Sequence, residues 1–226
     1  MKYTTLLFDS DDTLLDFARS EKEALKLVMC ENGLPFNYEI HAAYSSANKS
    51  FWEAYERGEI EKKEIYVGRF KKFLKDSGID ADPAFIARNY EANLSKQFFM
   101  IDGAAALIKK LKEKYRIYIV TNGNEQIQKS RLNGSGLDCL VDGVFVSEAV
   151  GVPKPEKKYF DYVFSNIDEK DKSKILIIGD SQSSDILGGI NAGIDTCWYN
   201  PFGKTGKYTP TYEVKSLQEI EKMLDL

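Results

Sequence analysis

Short runs of consecutive apolar residues recur along the chain and are typical of strands buried on both faces. Their β-branched and aromatic residues follow one another without polar alternation, as in a parallel sheet that is covered on both sides. The pattern predicts five such strands, at TTLLF (4–8), IYIVT (117–121), VFVS (144–147), ILIIG (175–179) and TCWY (196–199).

Helical periodicity fills the intervals between the later strands. Predicted helices follow Gly103 (AAALIKKLKEKY), Asn124 (EQIQKSRLN), Pro155 (EKKYFDYVFSN) and Asp185 (ILGGINA). Asn and Asp are common helix caps, and Pro is common in a first helical turn. The alternation of strands and helices predicts an α/β fold with a Rossmann-like, doubly wound parallel sheet.

The interval between the first two strands breaks this rhythm. It spans about a hundred residues, whereas a crossover between parallel strands needs only about a dozen. Ser20 and Glu23 match a capping box, and Gly33 would end the helix that follows. Further helices are predicted over 40–57, 60–77 and 83–97. We therefore predict a core built from residues 1–16 and 98–226, with an inserted α-helical cap domain at 17–97.

Charge and composition limit the partners. The 226 residues carry a formal net charge of -4, which lacks the basic excess that nucleic acid or anionic lipid would require. We expect a small-molecule partner and neither a nucleic acid polymer nor a membrane. The pattern does not distinguish a monomer from a homodimer.

The cysteines and the N-terminal segment indicate a reducing compartment. Cys30, Cys139 and Cys197 are odd in number and form no CxxC pair, so we expect each to be a small buried apolar residue. The first apolar run meets acids at Asp9, which makes it too short for a signal peptide or a membrane span. We expect a cytoplasmic protein.

Polar side chains stand where the predicted strands end. Each one alone is explained by a turn or a helix cap. Because ligands of an open parallel sheet bind beyond the carboxyl ends of its strands, we expect these side chains to meet in one crevice. They are Asp9 and Asp11 after the first strand, Thr121 and Asn122 after the second, Lys154 after the third, and Asp180 and Asp185 after the fourth.

Four motifs in this set resemble a known family. DSDDT (9–13), TNG (121–123), KP (154–155) and GDSQSSD (179–185) are similar, in order and placement, to the haloacid dehalogenase (HAD) superfamily, in its phosphatase branch with a helical cap. The resemblance implies a phosphomonoester hydrolase in which Asp9 is the nucleophile and forms an aspartyl-phosphate. It implies that Asp11 protonates the leaving oxygen and later deprotonates water.

The same resemblance implies a Mg²⁺ cofactor. Its ligands would be the side chains of Asp9 and Asp180 and the main-chain carbonyl of Asp11, with Asp185 acting from outside the coordination sphere. Thr121, the backbone N–H of Asn122 and Lys154 would bind the phosphoryl group.

The reaction and the substrate leave alternatives open. Dehalogenases resemble this pattern but lack a second aspartate such as Asp11, whereas a sugar-phosphate phosphatase or a β-phosphoglucomutase-like phosphomutase would share all core residues. A receiver-type signalling domain also gathers acids, a threonine and a lysine around Mg²⁺, but it would lack the long insertion.

The segment YERGEIEKKE resembles the pyrimidine 5'-nucleotidase group, so a pyrimidine nucleoside 5'-monophosphate is the leading substrate expectation. Aromatic and basic side chains of the insertion are candidates to contact it, although aromatic residues at helical spacing more often belong to a helical core. The candidates are Phe17, Trp52, Tyr55 and Arg57.

Overall fold

The computed structural model describes residues 2–224. The chain divides into two compact units, one formed by Met1–Phe17 with Phe98–Leu226 and the other by Ala18–Gln97. Within the described residues, no helix is long and apolar enough to cross a membrane.

Four helices build the second unit. The first helix begins one residue before this unit, at Phe17, which is assigned to the first unit. They are α1 (Phe17–Glu31), α2 (Tyr38–Glu56), α3 (Lys62–Asp76) and α4 (Pro83–Leu94). Asn37 caps α2, since its side chain accepts a hydrogen bond from the N–H of Ile40. Asp82 caps α4, where Pro83 occupies the first turn.

The core of the second unit contains a cluster of stacked aromatic rings. Tyr44 lies 5.0 Å from Phe70, 5.5 Å from Phe73 and 5.2 Å from Tyr90, measured between ring centroids. All four residues are fully buried. The cluster joins α2, α3 and α4 through offset and edge contacts, which add to the stabilisation from apolar burial.

A buried polar network accompanies this cluster. Asn48 donates to Glu21 Oε1 at 2.8 Å and accepts a hydrogen bond from Arg69 Nη1 at 2.7 Å. Asn48 and Arg69 are each 4% exposed. Burying a guanidinium and a carboxylate is tolerated only where hydrogen bonds replace their hydration. The network therefore fixes how α1, α2 and α3 align.

Six parallel strands form the sheet of the first unit in the order β3-β2-β1-β4-β5-β6. They are β1 (Thr5–Phe8), β2 (Arg116–Thr121), β3 (Gly143–Val146), β4 (Ile175–Gly179), β5 (Asp195–Tyr199) and β6 (Tyr212–Val214). The predicted doubly wound sheet and its first five strands are confirmed. The sequence analysis missed β6.

Strand β1 lies at the centre of the sheet. Its Leu6 is in register with Ile117 of β2 on one side and with Leu176 of β4 on the other. The chain runs outward from β1 to β2 and β3 and then crosses over to β4. The strand order therefore reverses beside β1, which is where open α/β sheets form their ligand crevice.

Helices cover both faces of this sheet. They are α5 (Ala104–Leu111), α6 (Glu125–Ser135), α7 (Ser147–Val150), α8 (Lys157–Ser165), α9 (Leu187–Ala192) and α10 (Leu217–Met223). Leu6 and Phe8 of β1 share one apolar cluster with residues of α5, α6 and α10. Leu7 points to the opposite face and joins the cluster that contains residues of α8 and α9. This alternation is the period of two that a strand imposes.

Two local predictions were wrong. Ser20 does not cap a helix, because α1 begins at Phe17 and Ser20 is buried within it. The first N–H of the helix, that of Phe17, instead donates to Oδ1 of Asp12 at 3.0 Å in the preceding turn. The expectation of buried cysteines holds only for Cys197, since Cys30 and Cys139 are exposed.

The polar network predicts a difference between two arginines of the second unit. Arg69→Met leaves the buried Asn48 oxygen without its donor, so we expect it to lower the free energy of unfolding by about 3 kcal/mol. Arg88 is exposed on α4, and Arg88→Met is the matched control, with an expected change within about 0.5 kcal/mol. Urea denaturation of both variants measures the difference. Equal stabilities would show that the network contributes nothing.

Candidate active site

Asp9 extends the pairing of β1 by one residue at the carboxyl end of the strand. Its N–H donates to the carbonyl of Ile178 in β4 at 2.9 Å. The residue is 8% exposed, so its carboxylate is held in a largely dry environment beside the end of β4. Burial is the largest effect on the pKa of Asp9 and raises it, the charge of Lys154 lowers it, and the carboxylate of Asp185 raises it further, so the net direction is upward.

A tight turn follows Asp9 and directs the chain towards α1. Asp12 adopts a left-handed backbone conformation with φ of 56°, which is unfavourable for a residue with a Cβ. The turn is held by the Asp12 N–H, which donates to the carbonyl of Leu15 at 2.7 Å, and by the Ser10 carbonyl, which accepts from Leu14 and Leu15. Asp12 thus shapes the loop that presents Asp11.

Lys154 lies at the centre of the site and is 1% exposed. Its ammonium donates to Asp9 Oδ1 at 2.6 Å, to Asp185 Oδ1 at 2.6 Å and to the carbonyl of Val120 at 2.7 Å. These three bonds use all three ammonium protons. Burial alone would lower the pKa of Lys154, but the carboxylates of Asp185 and Asp9 outweigh it and hold this pKa above its ordinary value. The side chain is therefore a permanent cation that fixes two carboxylates.

The Asn122 side chain holds the backbone of Lys154. Its Nδ2 donates to the Lys154 carbonyl and its Oδ1 accepts from the Lys154 N–H, both at 2.9 Å. This reciprocal pair ties the end of β2 to the loop that follows α7, and so sets where the Lys154 side chain begins.

Asp185 is placed by a glycine of β4. A Cβ built on Gly179 would lie 2.8 Å from the Cβ of Asp185, closer than two carbon atoms can pack, so this position accepts only glycine. Asp185 Oδ2 accepts from the Ser181 N–H at 3.0 Å while Oδ1 binds Lys154. Both oxygens of this buried carboxylate are therefore already hydrogen-bonded.

The site contains two further polar residues that the sequence analysis did not identify. Gln128 and Arg131 of α6 are each 1% exposed, and both donate to the Asp11 carboxylate. Their spacing of three residues places them on one face of the helix. The sequence feature that could have identified them is the presence of polar residues on the buried face of α6. The helical pattern alone does not indicate that Asp11 is their partner.

The donor set fits a divalent cation. Carboxylate oxygens of Asp9, Asp180 and Asp185 all lie within 4.8 Å of one another, whereas Lys154 is the cation that pairs with two of them. Burial and then the charge of Asp9 raise the pKa of Asp180 well above its usual range, as expected where negative charge is under-compensated. Since Asp185 already accepts two hydrogen bonds, Asp9 and Asp180 are the residues that would bind a hard, oxygen-preferring ion.

The predicted site residues fall into two groups. In the first unit, side chains from the ends of β1, β2 and β4 and from the loop before α8 come together as described. Trp52, Tyr55 and Arg57 belong to the second unit. Trp52 and Tyr55 form an edge pair with centroids 6.0 Å apart, and the exposed Arg57 binds Glu59 through two hydrogen bonds. Phe17 lies in the first unit, where its ring centroid is 5.6 Å from the Arg131 guanidinium carbon.

Comparisons with known proteins identify the family of this chain. The model of the haloacid dehalogenase-like hydrolase family matches residues 3–193. The HAD-hydrolase YfnB of Bacillus subtilis is 41% identical over 100% of this chain and 97% of its own. A crystal structure of YfnB bound to magnesium superposes with a TM-score of 0.95 over the full length of both chains.

Two further relatives carry an activity in their names. The pyrimidine 5'-nucleotidase PynA of Streptococcus pneumoniae is 39% identical over 100% of this chain and 96% of its own. The pyrimidine 5'-nucleotidase YjjG of Escherichia coli is 33% identical over 99% of each chain. The matched motifs, the strand order and these full-length similarities together show that the chain belongs to the haloacid dehalogenase-like hydrolase family.

Proposed function

We propose that this protein is a Mg²⁺-dependent phosphatase that hydrolyses pyrimidine nucleoside 5'-monophosphates through an aspartyl-phosphate intermediate. The observation that carries the proposal is the Asp9 carboxylate at the reversal point of the sheet, with Oδ1 held by Lys154 and with Asp11 and Asp180 beside it. The substrate class rests on the similarity to PynA and YjjG.

In the first half-reaction Asp9 attacks phosphorus. A bond forms between a carboxylate oxygen of Asp9 and phosphorus, the bond from phosphorus to the ester oxygen breaks, and Asp11 gives its proton to the departing nucleoside oxygen. Lys154 keeps the Asp9 carboxylate in one orientation. A phosphoryl oxygen that contacts Lys154 would have to replace one of its three present hydrogen bonds.

In the second half-reaction water attacks the aspartyl-phosphate. Asp11, now a carboxylate, takes a proton from the water, whose oxygen bonds to phosphorus while the bond to Asp9 breaks. The products are inorganic phosphate and the original Asp9 carboxylate. Thr121 and the backbone at Asn122 would bind the phosphoryl oxygens through both steps.

The metal would be held by the carboxylates of Asp9 and Asp180 and the main-chain carbonyl of Asp11. Mg²⁺ bound there supplies the positive charge that screens an anionic substrate from anionic Asp9 and Asp180. Asp185 would support the site indirectly by holding Lys154.

The nucleophile assignment predicts the outcome of one substitution. Asp9→Asn removes the attacking carboxylate, so we expect release of inorganic phosphate to fall by about three orders of magnitude or more. Asp168→Asn, at an exposed position, is the matched control and should retain parental activity. Unchanged phosphate release by Asp9→Asn would refute the assignment.

The substrate assignment is tested with a panel of phosphate esters. We expect the highest kcat/KM for UMP, CMP and dTMP, with lower values for purine nucleotides and sugar phosphates, because the pyrimidine nucleotidases match this chain over its whole length. Faster hydrolysis of a sugar phosphate would overturn the substrate class but leave the reaction intact. Isomerisation of a sugar phosphate that requires a bisphosphate primer would instead identify a phosphomutase.

The metal assignment predicts a change in stability that does not depend on turnover. Mg²⁺ binds the folded carboxylate cluster, so at a hundred times its Kd it should stabilise the protein by about 2.7 kcal/mol. We expect a rise in Tm for the parent and for Asp168→Asn, and a much smaller rise for Asp180→Asn. An equal rise in all three proteins would show that Mg²⁺ binds elsewhere.

A further inference from the structure

Two buried polar side chains on α6 have no role in the mechanism described so far. Gln128 and Arg131 are each 1% exposed. Burying an arginine and an amide in this way is costly unless their donors are satisfied. The hydrogen-bond partners of these two side chains therefore indicate their role.

Both residues bind the same carboxylate. Arg131 Nη1 donates to Asp11 Oδ1, and Gln128 Nε2 donates to Asp11 Oδ2. The Asp11 side chain is 27% exposed, whereas that of Arg131 is 1% exposed. A partly solvated carboxylate is thus held from the protein interior by two rigidly buried donors.

Gln128 also contacts Thr121. Its Nε2 donates to Thr121 Oγ1 at 3.2 Å, and the Gly123 N–H donates to the same oxygen at 3.1 Å. A hydroxyl oxygen has two acceptor sites, and these two bonds occupy both. The Thr121 O–H must therefore act as a donor, which is the role that a phosphoryl oxygen requires.

The backbone beside Thr121 is shaped to admit Gln128. A Cβ built on Gly123 would lie 2.6 Å from Cγ and 2.9 Å from Cδ of Gln128. Only glycine at this position lets the Gln128 side chain cross to Asp11. Arg131 is supported separately by the Phe17 ring, whose centroid is 5.6 Å from its guanidinium carbon.

We propose that Gln128 and Arg131 are positioning residues that hold the Asp11 carboxyl group where it meets the leaving oxygen, and that Gln128 also orients the Thr121 hydroxyl towards the phosphoryl group. This inference rests on the proposed phosphatase activity. Neither residue touches substrate; each acts through Asp11 or Thr121.

The leaving group distinguishes positioning from a general structural role. A nucleoside alkoxide leaves poorly without a proton from Asp11, whereas p-nitrophenolate leaves readily without one. Since kcat/KM reports the steps up to formation of the aspartyl-phosphate, displacement of Asp11 should lower kcat/KM for UMP far more than for p-nitrophenyl phosphate.

The experiment compares Arg131→Met with Lys129→Met, an exposed position on the same helix. For Arg131→Met we expect kcat/KM with UMP to fall about a hundredfold, which is the lower end of the usual contribution of general acid catalysis. We expect kcat/KM with p-nitrophenyl phosphate to fall less than about threefold, because its leaving group needs no proton. Arg131→Lys keeps a cation and should restore part of the UMP activity. Lys129→Met should match the parent on both esters.

A second variant, Gln128→Met, tests the contacts of Gln128 with Asp11 and Thr121. Its control is Gln126→Met, at an exposed position. This pair also tests the proposal if Arg131→Met fails to fold. We expect a loss on both esters through Thr121 and a further loss on UMP alone through Asp11. Equal losses on the two esters in every folded variant, or no loss on UMP, would overturn the positioning role. An inactive parent would instead refute the proposed phosphatase itself, so the two failures are distinguishable.

Discussion

The rest of the site depends on the ion pairs that the buried ammonium of Lys154 makes with Asp9 and Asp185. Its three hydrogen bonds reach Asp9 after β1, the Val120 carbonyl in β2 and Asp185 in the π-helical turn (Gln182–Ile186) after β4. A lysine this deeply buried stays charged only because two carboxylates surround it. Removing it would leave both carboxylates buried without a paired cation, so one side chain fixes the ends of three strands together.

Local backbone geometry follows from this constraint. Asp185 can reach Lys154 because Gly179 has no side chain in its path, and Lys154 starts from the right point because the Asn122 amide clamps its peptide groups. The strained Asp12 closes the turn between Asp9 and α1. Together these residues hold the side chains of Asp9, Lys154 and Asp185 in defined positions at the carboxyl edge of the sheet.

The sequence predicted the parts of this site that are tied to strand ends. Buried runs identify parallel strands, and parallel strands bring their carboxyl ends to one edge, so Asp9, Thr121 and Asp180 could be placed together before any coordinates. Gln128 and Arg131 were missed because a helix shows two or three faces and its polar residues are normally assigned to solvent. The edge strand β6 was missed because it has only three residues, of which Val214 alone is buried and Glu213 is exposed, so it has no continuous apolar run. Ser20 was misplaced because a capping box is a local pattern, whereas the helix begins three residues earlier, at Phe17, whose N–H is bound by the Asp12 side chain.

The separation of charges in the site is consistent with two chemical tasks. Among the residues that the structure describes, Lys154 pairs with Asp9 and Asp185, and Arg131 pairs with Asp11. The proposed nucleophile and the proposed proton-transfer residue are thus held by different cations, so the bonds that position Asp11 are separate from those that position Asp9. Even with Asp11 protonated, as the proposed first step requires, the three carboxylates of Asp9, Asp180 and Asp185 outnumber Lys154, the cation that pairs with two of them. This excess of negative charge favours binding of a divalent ion. Because a phosphate dianion must then enter next to anionic oxygens, its remaining stabilisation has to come from preorganised neutral donors. The Thr121 hydroxyl is such a donor, because its oxygen already accepts two hydrogen bonds. Its orientation by Gln128 therefore complements the charge that Lys154 supplies to the site.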